Sequence, residues 1–470
     1  MFIIDGRQSP FFQPISRRSC LKSCLYGLGG LTLGGLLRAE AAAGLKTSRK
    51  AVINIHLDGG PPHQDMIDLK PDAPAEIRGE FGRIQTKIPA YSICELLPQL
   101  AARADKIAFI RSLVGSASAH DAFQVQSGYD EKDLKPIGGR PAMGSVVSLL
   151  QGSTADESPA FVDLMQGRPL VRNSARPGFL GQAYKPFRPD LSAMFARKLE
   201  PGMVKELEAR GMDHAIQLTL PDGLSADRVF RRDQLRSTMA SLQHGINQAS
   251  PGDSMDAFNQ QALQMLTSGR FAKAMDLSQE DPAVLARYTM KNSEKHAPVG
   301  TSDGAEATKK FLLARRLVEA GVRAVSLSLS DFDTHSDNFP RMRRVLPILD
   351  HGLSMLLDDL HQRELIDDVS IVVWGEFGRT PKIASKTGGR DHWPRVGMAL
   401  LAGGGMKVGQ VIGSTDKDAG AAASRPVHVQ EVFATLYHNL GIDPETTILD
   451  DPTGRPQPLF SNVKPLSELI

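Results

Sequence analysis

The chain has 470 residues, 41% hydrophobic and 23% charged, with 55 Lys and Arg against 53 Asp and Glu. That balance describes a globular protein with a large core and excludes a disordered, collagenous or disulfide-built one. A net charge of +2, with no later apolar run of membrane-crossing length, argues against a nucleic-acid partner and against a stable membrane span.

In chain order the first feature is Ser16-Arg17-Arg18-Ser19-Cys20-Leu21-Lys22. It follows the twin-arginine export pattern, except that Cys20 stands where Phe is preferred. The apolar stretch from Cys24 to Leu37 is diluted by five glycines. It is too short for a bilayer, which needs ~20 apolar residues. Small residues between Ala39 and Ala43 offer a cleavage site, so residues 1–43 are expected to be a signal peptide. The implied partner is the twin-arginine export machinery, and the implied destination is periplasmic or extracellular. Residues 1–43 carry five basic and two acidic side chains, so removing their net +3 from the total of +2 leaves about −1. Two of the three cysteines leave with the leader; Cys94 stays, and no internal disulfide can form.

Beyond the leader, Ala51–Leu57 is a nearly continuous apolar run, the habit of a strand buried on both faces of a parallel sheet. Similar runs occur at Lys106–Leu113, Val322–Ser330 and Val369–Trp374. Helical patterns at Glu95–Ala104, Ala305–Ala320 and Met342–Leu360 precede the last three, and another lies at Val429–Leu440. This alternation predicts an α/β layered fold. The stretch 151–303 has few convincing strands and helical patterns at Ala226–Asn247 and Asp256–Thr267, so it reads as a largely helical insertion or cap.

Ligands of open α/β sheets bind at the carboxyl ends of the strands. The first expected strand ends in Asp58-Gly59-Gly60, with His63 close behind. The second is followed by Ser116, Ser118 and His120, at an expected helix start. The third leads into Asp333-Thr334-His335, and the fourth into Glu376-Phe377-Gly378-Arg379. A later loop carries Gly389-Arg390-Asp391-His392-Trp393. Carboxylates and imidazoles gathered at one edge suit a divalent metal, with zinc favoured and manganese or calcium as alternatives. Asp58, His63, Asp333, His335, Glu376, Asp391 and His392 are the candidate ligands. Ser118 or Ser116 is the candidate nucleophile, with His120 beside them. Arg379 and Arg390 are fork-shaped donors suited to an oxyanion.

Four segments in this order resemble an exported bacterial family, domain of unknown function 1501. They are Asp68–Phe81, Asp333-Thr334-His335, Gly375–Pro381 and Gly389–Trp393. The family resembles a branch of the alkaline-phosphatase-like superfamily, which includes sulfatases and phosphatases. That likeness implies a three-layer sandwich with a mainly parallel sheet over residues 44–470. It also implies a first metal on Asp58, a nucleophile at Ser118, a second metal on Asp333 and His335, and Glu376 and His392 completing the site. Glu376-Phe377 replaces the superfamily's usual Asp-His, implying a weakened metal site. The formylglycine signature of sulfatases, Cys/Ser-x-Pro-x-Arg, is absent, and the run Cys94-Glu95-Leu96-Leu97-Pro98 does not match it. The expected function is hydrolysis of a phosphate or sulfate ester of a small molecule or glycan. The alternative is a catalytically degenerate, metal-stabilised relative that binds a glycan or an envelope partner.

Overall fold

The computed structural model describes residues 50–470 except 121, 153–157, 169–174, 192–193, 196–204, 206–268, 292 and 300. The leader and the helices expected at Ala226–Asn247 and Asp256–Thr267 lie outside the described residues.

Two expected strands have the observed bounds, β1 (Ala51–Leu57) and β5 (Val369–Trp374), and two shift slightly, β2 (Ala108–Val114) and β4 (Ala324–Leu329). Four further strands join them: β3 (Phe161–Leu164), β6 (Gly397–Gly403), β7 (Gln410–Ile412) and β8 (Val427–His428). Together they form an eight-stranded sheet in the order β7-β2-β6-β5-β1-β4-β3, with β8 also on β2. Among the described residues only β6 runs against the others, pairing antiparallel with both β2 and β5. The fold is therefore α/β with a mostly parallel sheet, as the alternating elements predict.

Helices cover both faces. Here α1 is Met143–Gln151, α2 Thr308–Glu319, α3 Asn338–Gln362 and α4 Val429–Asn439. Alternate residues of each strand point to opposite faces. Ile53, Ile55, Val325, Leu327, Ile371 and Val373 share one core with α2 and α3. Val52, Ala324, Val372 and Trp374 share the other with α1 and α4.

Three local expectations change. The stretch 151–303 supplies β3, which pairs in parallel with β4, so part of it belongs to the sheet. The segment Glu95–Ala104 is helical only at Pro98–Ala101, because Cys94 ends a short strand and Leu97 has non-helical dihedrals. Pro98 then fits the first helical position, where its missing N–H costs nothing. The apolar run around Gly397 is a buried strand ended by three glycines in the left-handed region.

Strand β1 is not purely apolar. Asn54 Nδ2 donates to Val125 O at 2.7 Å, and its Oδ1 accepts from Trp374 Nε1 at 2.9 Å. These bonds tie β1 to β5 and to the short helix Gln124–Ser127 in a region closed to water. Asn54→Leu strands a buried indole N–H and a buried carbonyl, and an unsatisfied buried group costs about 1–3 kcal/mol. A loss of about 2–5 kcal/mol in denaturant unfolding is expected; a change under about 0.5 kcal/mol contradicts the reading.

Candidate metal centre

Parallel strands deliver their C-terminal loops to one edge, and the chemistry collects there. Asp58 follows β1, His120 follows β2, Asp333 and His335 follow β4, and Glu376 follows β5. A two-residue antiparallel ribbon pairs Gly378 with Trp393 and Arg379 with His392, bringing His392 to the same edge.

Two groups of ligand atoms converge, each with its atoms within 4.8 Å of one another. The first is His120, Asp333, His335 and His392; the second is the buried trio His56, Asp58 and Glu376. His120 spans both, with Nε2 3.2 Å from Asp333 Oδ2 and Nδ1 2.8 Å from Glu376 Oε1. Burial opposes charge on His120, but the two carboxylates outweigh it and raise its pKa to about 9. Burial likewise disfavours charge on Asp333, and hydrogen bonds from His120, His392 and Arg379 hold its carboxyl well below the usual range. Glu376 is also held down, against its burial, chiefly by His120 and then His56.

The hydrogen bonds of the first group define its tautomers. His335 Nδ1 lies 2.6 Å from Asp391 Oδ1, and His392 Nδ1 lies 3.1 Å from the carbonyl of Ser118. A carboxylate and a carbonyl only accept, so each Nδ1 is the donor, and in the neutral imidazole each Nε2 is then an acceptor open to a cation. The two Nε2 atoms stand 3.1 Å apart, and they lie 3.1 and 3.5 Å from Asp333 Oδ1. When the two imidazoles are neutral, these three atoms face one point that a cation can occupy. In the second group neither ring nitrogen of His56 finds a hydrogen bond among the described residues, although Nε2 is 3.4 Å from Glu376 Oε2. A wholly buried imidazole without a hydrogen bond is costly, and a cation held with Asp58 and Glu376 would satisfy it. Both donor sets, nitrogen with carboxylate oxygen, suit a divalent metal.

His56 was not among the expected ligands. Its signal was present, because residues 54, 56 and 58 are polar and fall on one face of β1. His56 adds an imidazole to the group that contains Glu376, the residue before Phe377. Phe377 instead packs its ring 4.3 Å from His392 and 5.3 Å from His120.

Other expected site residues fall elsewhere. Arg390 does not reach an oxyanion: it is fully buried, paired bidentate with Asp65 at 2.7 and 2.8 Å, and it also donates to the carbonyls of Thr380, Pro381 and Ile77. Arg379 is equally enclosed, donating to the carbonyls of Gly59, Gly60 and Arg390 and, at 2.5 Å, to Asp333 Oδ1. Both guanidiniums build the site and leave no donor face open for substrate. His63 is in neither group; its Nε2 contacts Ala419 O, and burial lowers its pKa. Asp391 is a partner of the ligand His335 and is not one of the convergent ligands. Ser118 is exposed on a bend, because the next helix starts only at Gln124; Ser116 is partly covered on the same loop. Cys94 is buried with its thiol pushed up to about 12 by that burial, which suits no nucleophile. Arg168, after β3, was not expected, and its Nη1 lies 2.9 Å from Asp333 Oδ2.

Two glycines let these loops close. Gly59 has a φ of +111°, and a Cβ there would lie 2.3 Å from Asp333 N. At Gly389 a Cβ would lie 2.1 Å from the His335 carbonyl.

The sequence matches the family described as "Protein of unknown function (DUF1501)" over residues 49–470. The chain belongs to that family. No protein of curated description matches it. Among solved structures it is similar to the PsFucS1 sulfatase from Pseudoalteromonas sp., at 10% identity and a TM-score of 0.37, covering 87% of this chain and 70% of that one. It is also similar to the phosphonate monoester hydrolase SpPMH from Silicibacter pomeroyi, at 12% identity and 0.30, covering 83% and 73%. A third is the C-terminal periplasmic domain of EcEptC from Escherichia coli, at 10% and 0.29, covering 86% and 88%.

Arg390→Met removes the only cation within hydrogen-bonding distance of the Asp65 carboxylate among the described residues. Breaking a buried pair from one side costs about 3–5 kcal/mol, so a drop of that size in chemical denaturation is expected. A variant as stable as the parent overturns the stabilising role of the Asp65–Arg390 pair.

Proposed function

We propose that this protein is an exported, metal-dependent hydrolase of a phosphate or sulfate ester. The observation that supports the reading most is the convergence of the His335 and His392 Nε2 atoms on Asp333, beside a second set whose buried imidazole makes no hydrogen bond among the described residues. Cations bound there would polarise an ester oxygen and ease deprotonation of a hydroxyl or water. Asp333, His335 and His392 would hold one cation, and His56, Asp58 and Glu376 the other.

The chain's own groups supply the rest. Arg379 keeps Asp333 ionised and aimed, so the site needs no reorganisation before it binds charge. Arg168 reaches the same carboxylate from the side of β3 and is the cation we assign to the non-bridging oxygens of the ester. Between the two groups His120 holds a proton against Asp333 and Glu376. Ser118 is the hydroxyl we assign as nucleophile, because its carbonyl already anchors His392.

The second reading is a metal-stabilised protein that binds a glycan or an envelope partner without turnover. It is favoured by the position of Ser118, which lacks the helix N-terminus that would steady an anion. Elemental analysis and a panel of aryl phosphates, phosphodiesters and sulfates, assayed with zinc, manganese and calcium, separate the two. Hydrolysis is expected, with Asp333→Asn and Arg168→Ala each lowering kcat/KM by at least about 10²-fold. Bound metal without turnover of any ester selects the binding protein, and absence of bound metal removes both readings.

Metal loading should also stabilise the fold. At about one hundred times Kd a ligand of the native state adds about 2.7 kcal/mol, so chelation should lower the melting temperature. A melt indifferent to chelator contradicts the site. Export follows from the leader alone: changing Arg17 and Arg18 to Lys should leave the precursor inside the cell, and normal export of that variant overturns the assignment.

A further inference from the structure

The segment Arg390–Arg395 contains the second strand of the ribbon, His392–Trp393. Arg390 is buried against Asp65 and His392 faces Asp333, while Asp391, Trp393 and Arg395 lie on a neighbouring cavity. Those three line a cavity of about 660 Å³, within the ~300–1,000 Å³ range of small-molecule clefts. Ile77, Pro381 and Ile383 provide an apolar floor. Lys382, Asp416 and Asp418 add charge to the rim.

From this we infer that the cavity is a saccharide subsite, holding an uncharged sugar ring of the substrate against Trp393. The inference rests on the ester-hydrolase reading only in naming the part of the substrate that is not the ester. Trp393 donates its indole N–H to Gly420 O at 2.7 Å, which pins the partly exposed ring at the wall of the cavity. Arg395 lies over that ring with its guanidinium carbon 5.7 Å from the ring centre, a cation–π contact at the wall of the cavity. An aromatic face takes the C–H face of a pyranose, and the carboxylates around it accept from the hydroxyls at its edge. Three carboxylates against two cations give the lining a net negative charge, which disfavours an anionic ligand. The charged rim equally disfavours an alkyl chain. Asp391 is 66% exposed and touches His335 Nδ1, so a hydroxyl bound to it sits one imidazole away from Asp333. The pocket thus backs onto the centre through a single shared residue.

The test uses the purified full chain with cellobiose, lactose, maltose and chitobiose, followed by calorimetry and by tryptophan emission. The protein has two tryptophans, and Trp374 is wholly buried, so a change in emission reports on Trp393. Saturable binding of at least one disaccharide below about 10 mM is expected. Trp393→Ala should weaken it at least tenfold by calorimetry. Asp418→Asn, a milder change, should weaken it at least threefold without altering the melt. Failure of all four sugars to bind overturns the subsite, as does binding that survives both substitutions. Selective binding of peptides in place of sugars overturns it too. Free disaccharides carry no ester, so their binding stands or falls apart from hydrolysis. Ester turnover without sugar binding removes the subsite alone, and sugar binding without turnover removes the hydrolase reading alone.

Discussion

The geometry of the centre hangs on a buried chain of charge running from Asp65 through Arg390 and Arg379 to Asp333. Asp65 takes both arms of Arg390, the carbonyl of Arg390 takes Arg379, and Arg379 ends on the carboxylate that three imidazoles approach. Burying four ionised groups is expensive unless each is paired and its remaining hydrogen-bonding capacity is filled. Here the two guanidiniums spend their donors on carbonyls of the same loops they hold together. The chain joins residues more than three hundred positions apart, so one arrangement of these loops satisfies it.

This strut explains why the two arginines are poor candidates for substrate contact. An arginine that binds an oxyanion needs an open fork, and Arg379 and Arg390 have used theirs to orient Asp333 and seat the ribbon carrying His392. Arg168 reaches Asp333 with its charge at the edge of the centre. The division of labour resembles that of many sites in which ligands are held by partners buried behind them. Asp391 and the carbonyl of Ser118 serve the imidazoles in the same way, each fixing a tautomer by accepting from Nδ1.

The two groups differ in setting. The trio His56, Asp58 and Glu376 is buried at the end of β1, whereas His335 is exposed and Asp333 and His392 are partly so. A cation in the first would exchange slowly and resemble part of the core; one in the second would face solvent and substrate. His120 links them, and Phe377 packs beside the rings.

Much of this was legible in the sequence. Continuous apolar runs located β1, β2, β4 and β5, because strands buried on both faces need apolar residues on both, and the residues just past them included Asp58, Asp333, His335 and Glu376. His56 could have been found from the polar alternation at 54, 56 and 58, but a mostly apolar run masks it. Strand β6 was obscured by its glycines, and β3 by its brevity. Which of the polar residues converge was decided only by tertiary structure. Local patterning is a property of neighbours along the chain and reports burial and backbone shape. Whether an arginine meets a substrate or a distant aspartate depends on long-range loop closure, and composition and spacing carry no record of that.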